Sequence, residues 1–231
     1  PELLQTGTLT VAGTTALNGG SSAITLVNGA NVFGGAMSLT GGDATVAANA
    51  PLTFGASTLT GSLIASAPGL LQTGALSVAG PSTLDSGTSA VTLANVGNTF
   101  GGALSLTGGD ATIVAHTPLT FAASTLSGSL TASAPGLQQT GALSVAGTST
   151  LNSGTSAITL TDAGNVFTGA VSLTSGDVLL NTSVPLVFAP SSAGGALRVS
   201  APGIQQVGAV SVTGPATLGA GGADNAPPRP G

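Results

Sequence analysis

The feature that most restricts what this chain can fold into is a 67-residue period. Leu3-Leu4-Gln5-Thr6-Gly7 returns as Leu70-Leu71-Gln72-Thr73-Gly74, then as Leu137-Gln138-Gln139-Thr140-Gly141, and finally as Ile204-Gln205-Gln206-Val207-Gly208. Three full copies (3–69, 70–136, 137–203) are followed by the start of a fourth (204–218), and roughly two-thirds of positions agree between the first two. Self-similarity of this kind marks an array whose units bury their apolar faces against one another. One continuous repeat domain is therefore expected over 1–218. Residues 219–231 lose the period, carry Gly221-Gly222 and Pro227-Pro228-Arg229-Pro230, and are expected to form a flexible tail or linker. The chain begins almost directly inside a repeat, which suggests a segment of something longer.

Within each copy the apolar residues alternate, as in Leu76-Ser77-Val78, Leu104-Ser105-Leu106 and Val210-Ser211-Val212. A period of two means strand. The runs are short, rich in Val, Ile, Thr and Leu, and bounded by Gly, Asn, Asp, Ser or Pro. With 37 glycines and no stripe at spacings of three and four, almost no helix is expected. Comparison of copies predicts side-chain direction. The columns Leu9, Leu76, Leu143, Val210 and Val11, Val78, Val145, Val212 accept only apolar residues and face inward. The column Ile64, Thr131, Arg198 mixes apolar, hydroxyl and cation and faces water, while its neighbours Leu63, Leu130 and Leu197 face the core.

All six phenylalanines fall into two columns, Phe33, Phe100, Phe167 and Phe54, Phe121, Phe188, offset from each other by close to one third of the period. If one coil takes about 21 to 23 residues, each copy makes about three coils, and the two columns lie on adjacent coils where their rings can stack. The expected fold is thus all-β: a parallel β-solenoid of roughly ten coils, a rod on the order of 50 Å long at about 4.8 Å per coil. Gly42-Asp43, Gly109-Asp110 and Gly176-Asp177, with Asn31, Asn98 and Asn165, read as corners, because these residue types tolerate left-handed backbone. The proline columns Pro51, Pro118, Pro185 and Pro68, Pro135, Pro202 should lie at turns or at a strand's first residue.

Charge narrows the partners. Charged residues are 4% of the chain; lysine is absent, and the only cations are Arg198 and Arg229. Seven acids, Glu2, Asp43, Asp85, Asp110, Asp162, Asp177 and Asp224, give a formal net charge of −5. Nucleic acid and anionic membranes are poor partners for such a surface. Mean hydropathy is +0.53, yet apolar runs fall far short of the ~20 residues of a spanning helix. The absence of Trp and Tyr argues against a membrane barrel with aromatic girdles. Cysteine is absent, which excludes disulfides and fits export through an oxidising space.

The units Gly97-Asn98-Thr99-Phe100-Gly101-Gly102-Ala103-Leu104-Ser105-Leu106-Thr107-Gly108-Gly109 and Gln139-Thr140-Gly141-Ala142-Leu143-Ser144-Val145-Ala146-Gly147 resemble the repeat regions of filamentous-haemagglutinin-like bacterial exoproteins. The resemblance covers residues 3 to about 218. It implies a right-handed parallel β-helix, export to the cell surface or beyond, and a part in attachment, aggregation or biofilm structure.

No catalytic, cofactor-binding or metal-binding residue is assigned, and the chain is not expected to be an enzyme. His116 aligns with Asn49 and Ser183, so it occupies a variable turn position without an orienting carboxylate and nucleophile nearby in the sequence. Asp43, Asp110 and Asp177 recur and are the strongest constellation. At three coils per copy they stand roughly 14 Å apart, beyond the reach of paired acid and base or a shared calcium ion, and they read as corner residues. The Thr-x-Thr pairs Thr8-Thr10, Thr58-Thr60 and Thr159-Thr161 raise ice binding as a minor alternative, but the pairs do not hold their columns. Asn181-Thr182-Ser183 matches a glycosylation sequon and carries little weight alone. The expected role is a structural shaft that self-associates laterally or end to end. Alternatives are a glycan-binding module, which would lack Trp or Tyr platforms, and a polysaccharide-degrading β-helix, which would need clustered acids with Arg or Lys.

Overall fold

A computed structural model describes residues 2–220 as a parallel β-solenoid of about 11 turns with about 19 residues per turn. Thirty-three strands of two to five residues build it, and the described residues contain no helix. Every strand pairing is parallel, in sheets of 15 and 16 strands plus one two-stranded sheet. At about 4.8 Å per turn the rod is about 53 Å long. The turns are tighter than the sequence suggested, so each copy holds more than three of them.

The shorter turn changes what the sequence period means. Leu3, Ile24, Ala44 and Leu63 begin four successive strands of the first sheet, three turns in all, and Leu70 begins the next strand of the second sheet. One 67-residue copy is therefore three and a half turns. Equivalent residues alternate sides: Met37 lies in the second sheet, Leu104 in the first, and Val171 in the second again.

Two structural devices produce the half turn. In most turns one side of the solenoid is a single strand and the other is a pair of shorter strands meeting at a bend. Ala44–Ala47 faces the pair Leu52–Phe54 and Ser57–Leu59; Leu63–Ser66 faces Leu70–Gln72 and Leu76–Val78. Once per copy two single strands follow one another directly across a tight Gly-Asp corner, as Met37–Gly41 and Ala44–Ala47 do, and the pair is skipped. The resulting turn is short, running from Met37 to its register partner Phe54, from Leu104 to Phe121, and from Val171 to Phe188. The next turn must then lay a bent pair on a straight strand. Met37 and Thr40 pair with Phe54 and Thr58, so the bent side carries one residue more than the straight side it opposes, the count of a β-bulge.

A buried serine closes the gap that the bulge opens in the ladder. Ser57 Oγ accepts from Leu39 N at 3.0 Å and donates to the Gly55 carbonyl at 3.0 Å. Ser124 does the same with Leu106 and Ala122, and Ser191 with Leu173 and Ala189. The bend then widens turn by turn, from residues 55–56 between the paired strands to 73–75 and then 94–98.

The widest bend would strand polar backbone in the core, and a buried asparagine prevents this. Asn98 is fully buried. Its Oδ1 accepts from Leu76 N at 2.9 Å and Gln72 Nε2 at 2.6 Å; its Nδ2 donates to Gln72 Oε1 at 3.0 Å, Leu93 O at 3.1 Å and Val114 O at 3.0 Å. One side chain thereby ties three consecutive turns. Asn165 repeats the clamp with Gln139, Leu143, Leu160 and Asn181, and Asn31 with Gln5, Leu9 and Ala47. The reading of these asparagines as left-handed corners is thus corrected: they act through their side chains. Left-handed backbone falls instead on Gly20, Gly87 and Gly154, with φ of 64°, 63° and 61°, and on Gly69 and Gly136.

The inward columns behave as predicted. Leu76, Val78, Leu143 and Val145 are buried, as are Leu63, Leu130 and Leu197, while Ile64, Thr131 and Arg198 are exposed. Val11, Val210 and Val212 belong to the same columns but sit in the first and last described turns and are half-buried, while Leu9, in the first turn, is exposed. All six phenylalanines are buried. Their columns are not register partners, however: Phe33 and Phe100 lie on Val11 and Val78, and Phe54 and Phe121 on Met37 and Leu104. Pro51, Pro118 and Pro185 directly precede strands, and Pro68, Pro135 and Pro202 lie in turns, where their missing N–H is not needed. Gly219 and Ala220, expected in the tail, close the final strand Ala216–Ala220; the rest of the expected tail lies outside the described residues.

Candidate functional surfaces

Glycine and aspartate organise the two edges of the rod. Gly61 N donates to Gly42 O at 3.1 Å, Gly80 N to Gly61 O at 2.8 Å, and Gly102 N to Gly80 O at 3.2 Å, so successive corners stack backbone on backbone. Asp43 stands at the foot of this stack, and its Oδ1 accepts from Ser62 N at 2.7 Å and Ser62 Oγ at 2.8 Å. Asp110 and Asp177 accept from the main chain of Ser129 and Ala196 in the same way, each at 2.7 Å. The Ser62 donors, the backbone one foremost, hold the Asp43 carboxyl below its ordinary value of 3.8. Each aspartate therefore caps the turn that follows it, the corner role that the sequence suggested. Successive aspartates are three and a half turns apart, about 17 Å along the axis, and on alternate sides of the rod.

His116 is exposed in a turn, where its backbone N donates to Asn98 O at 2.7 Å. No three His, Asp or Glu side chains lie close enough to share a metal ion among the described residues. Within the sequon, Asn181 Nδ2 donates to Thr161 O at 2.9 Å, while Thr182 is buried and bonded to Asn165 O. Thr58 and Thr60 point outward without a matching pair in register. A hydroxyl rank does exist elsewhere: Thr92, Thr112, Thr131, Thr150 and Ser172 are register partners on five successive turns. The parallel rank beside it reads Val114, Ser133, Asn152, Thr174, so the two ranks do not form a regular threonine array.

Concavities interrupt the ends and the sides of the described stack, one of about 350 Å³ lying at the corner of Gly176 and Asp177 beside Thr155 and Ser175. At the first turn a cavity of about 370 Å³ opens among Leu3, Leu9, Leu17 and Leu26, and at the last described turns one of about 320 Å³ opens among Phe188, Leu197, Ile204, Val210 and Leu218. Both lie at the ends of the described stack, where the core residues have a described coil on one side only. Along the sides, two equivalent polar ledges recur one copy apart. One, of about 380 Å³, lies among Ser66, Ala67, Pro68, Asp85, Thr88 and Ser89. Its counterpart, of about 390 Å³, lies among Ser133, Ala134, Pro135, Asn152, Thr155 and Ser156. The sequence reading missed both, although Asp85-Ser86-Gly87 and Asn152-Ser153-Gly154 aligned in the copies.

A stack of parallel coils with an unbroken apolar interior defines this chain as a β-solenoid repeat protein. The chain belongs to the family described as repeats of unknown function (DUF5649), whose model matches residues 2–40, 41–107, 108–174 and 175–225. The internal boundaries at 41, 108 and 175 fall at the ends of the single strands that lead into the Gly-Asp corners, where the solenoid exchanges its two sides. No curated protein and no solved structure matches the chain.

Proposed function

We propose that this chain is a length of stiff shaft in a secreted or surface-attached bacterial adhesin or matrix fibre, holding other parts of that protein at a distance during attachment, aggregation or biofilm formation. The reading rests on one observation: the same inward columns and ladder bonds continue from Leu3 to Ala220 without an inserted domain or a break. Stability in such a stack accumulates turn by turn, so length and rigidity come together. The work is mechanical and uses no reacting group. The low-charge sides offer little repulsion between rods, and the strand edges at the end of a coil stack can pair with another stack wherever no further coil covers them. Self-association is therefore part of the proposal, and extracellular or cell-surface placement follows from the role.

Exchange of the segment within its parent protein tests the reading. Deletion of residues 3–203 is expected to reduce attachment of the bearing cells, and an unrelated solenoid of equal length is expected to restore it. Failure of the unrelated rod to restore attachment would show that the surface, rather than the length, carries the function.

A further inference from the structure

The two polar ledges are built by unequal loops. Only residues 67–69 connect Leu63–Ser66 to Leu70–Gln72, whereas residues 86–90 connect Ser82–Asp85 to Val91–Leu93 in the next turn. The longer loop overhangs the shorter, and the step beneath it is the ledge. The second copy repeats this with 134–136 under 153–157. The overhang is rigid. Ser89 N donates to Ser86 O at 3.0 Å, Ser86 Oγ to Ser89 O at 2.7 Å, and Gly87 N to Asp85 Oδ1 at 2.9 Å, with Gly87 left-handed. In the second overhang Ser156 N donates to Ser153 O at 3.0 Å, Ser153 Oγ to Ser156 O at 2.8 Å, and Gly154 N to Asn152 Oδ1 at 2.9 Å.

The lining selects a ligand class by its chemistry. No cation lines either ledge, and Asp85 places a carboxylate in one of them, so anionic ligands are disfavoured. A cation would find one carboxylate at the first ledge and none at the second. Hydroxyls that both donate and accept, from Ser66, Thr88 and Ser89 or Ser133, Thr155 and Ser156, match a neutral polyhydroxyl chain. Pro68 with Ala67, and Pro135 with Ala134, add a small apolar floor for a sugar ring's C–H face.

We infer that each ledge binds a short stretch of neutral glycan. The first loop runs from the first sheet to the second and the other from the second to the first, so the ledges open on opposite edges of the rod, about 17 Å apart along the axis. One chain then engages two glycan strands and bridges them. This inference does not depend on the shaft reading, which stands if the ledges are empty of sugar.

The test is titration of the isotope-labelled chain with cellohexaose, maltohexaose and chitohexaose, following amide resonances, with hexagalacturonate as the acidic comparison. At least one neutral hexasaccharide is expected to shift Gly87, Thr88 and Ser89 together with Gly154, Thr155 and Ser156. Ser66→Leu and Ser133→Leu, at outward positions, fill one ledge each. Each is expected to weaken binding at its own ledge roughly tenfold, the effect of one lost polar contact of about 1.4 kcal/mol, and to leave the other unchanged. At a chain concentration where sedimentation shows monomer only, beads coated with the bound glycan should aggregate with the parent chain and not with either variant. Silence at both ledges with all three neutral sugars, equal response to hexagalacturonate, or bridging that survives in the single variants each overturns the proposal; unchanged thermal melts of the variants exclude misfolding as the cause.

Discussion

Gly13, Gly80 and Gly147 occupy one column, each preceded by Val-Ala, yet the structure predicts opposite outcomes for the same substitution. A Cβ on Gly80 would lie 2.8 Å from both the carbonyl carbon and oxygen of Gly61 and 3.0 Å from Ser62 N. Ordinary contact begins at 3.4 Å, so the corner must open by about 0.6 Å, and every opposing atom is backbone that cannot rotate away. The Gly80 N to Gly61 O bond of 2.8 Å would stretch beyond useful length. Overpacking costs about 1–3 kcal/mol and the weakened bond about 1 kcal/mol. Alanine's smaller unfolded-state entropy offsets about 0.4–1 kcal/mol. Gly80→Ala should therefore destabilise by about 2–3 kcal/mol, lowering Tm by about 5–10 °C in a chain of this size. In the 231-residue chain taken alone, Gly13 lies in the first described turn with no coil beneath it, so a Cβ there meets nothing within 4 Å; only the entropic gain is left, and Gly13→Ala should raise Tm by about 1–3 °C. Scanning calorimetry of both variants decides the matter. Equal losses in both would show that glycine is required for its backbone conformation and refute stacking distance as the cause.

Asn98→Leu should destabilise by about 4 kcal/mol or more, because it takes the side-chain partner from Leu76 N and from the Leu93 and Val114 carbonyls and removes two of the Gln72 amide's bonds; denaturant unfolding measures it. Ser124→Ala should cost about 1–2 kcal/mol by stripping Leu106 N of its acceptor, and hydrogen exchange at Leu106 should quicken more than at the far end of the rod. For Asp43, whose folded carboxyl titrates below 3.8, the stabilising contribution is fully present above that unfolded value and is lost as pH falls through the folded one. Carbon-detected titration should show the Asp43 midpoint rising towards 3.8 in Ser62→Ala without reaching it, since the stronger backbone donor remains. Fusing two copies of residues 3–203 should yield a particle roughly twice as long by electron microscopy and no wider, as expected for a stack that grows by about 4.8 Å per turn.

Strand character, inner and outer faces, proline placement and the corner position of the aspartates were all legible in the sequence, because each depends on local alternation or on a column's tolerance. The half turn per copy was not. The 67-residue period divides into three wide turns or three and a half narrower ones, and both are workable coils. The spacing of Phe33 and Phe54 pointed to the former because it spans the one short turn plus the corner at residues 34–36, Met37 rather than Phe33 being the register partner. The asparagine clamps left a trace that column reading can recover. Gln5, Gln72 and Gln139 precede Asn31, Asn98 and Asn165 by the same interval each time. The ledges needed loop lengths in adjacent turns, which no comparison between copies supplies.

The half-integer pitch makes copy number a matter of parity. Tandem units can be lost or gained when their coding sequence misaligns. In an ordinary solenoid such an event would only shorten or lengthen the rod. Here, removal of one 67-residue unit turns everything beyond it through half a revolution about the axis, while removal of two restores the original facing. Chains with odd and even numbers of units would thus present any element carried at the far end to opposite sides, with no change in the residues of that element itself.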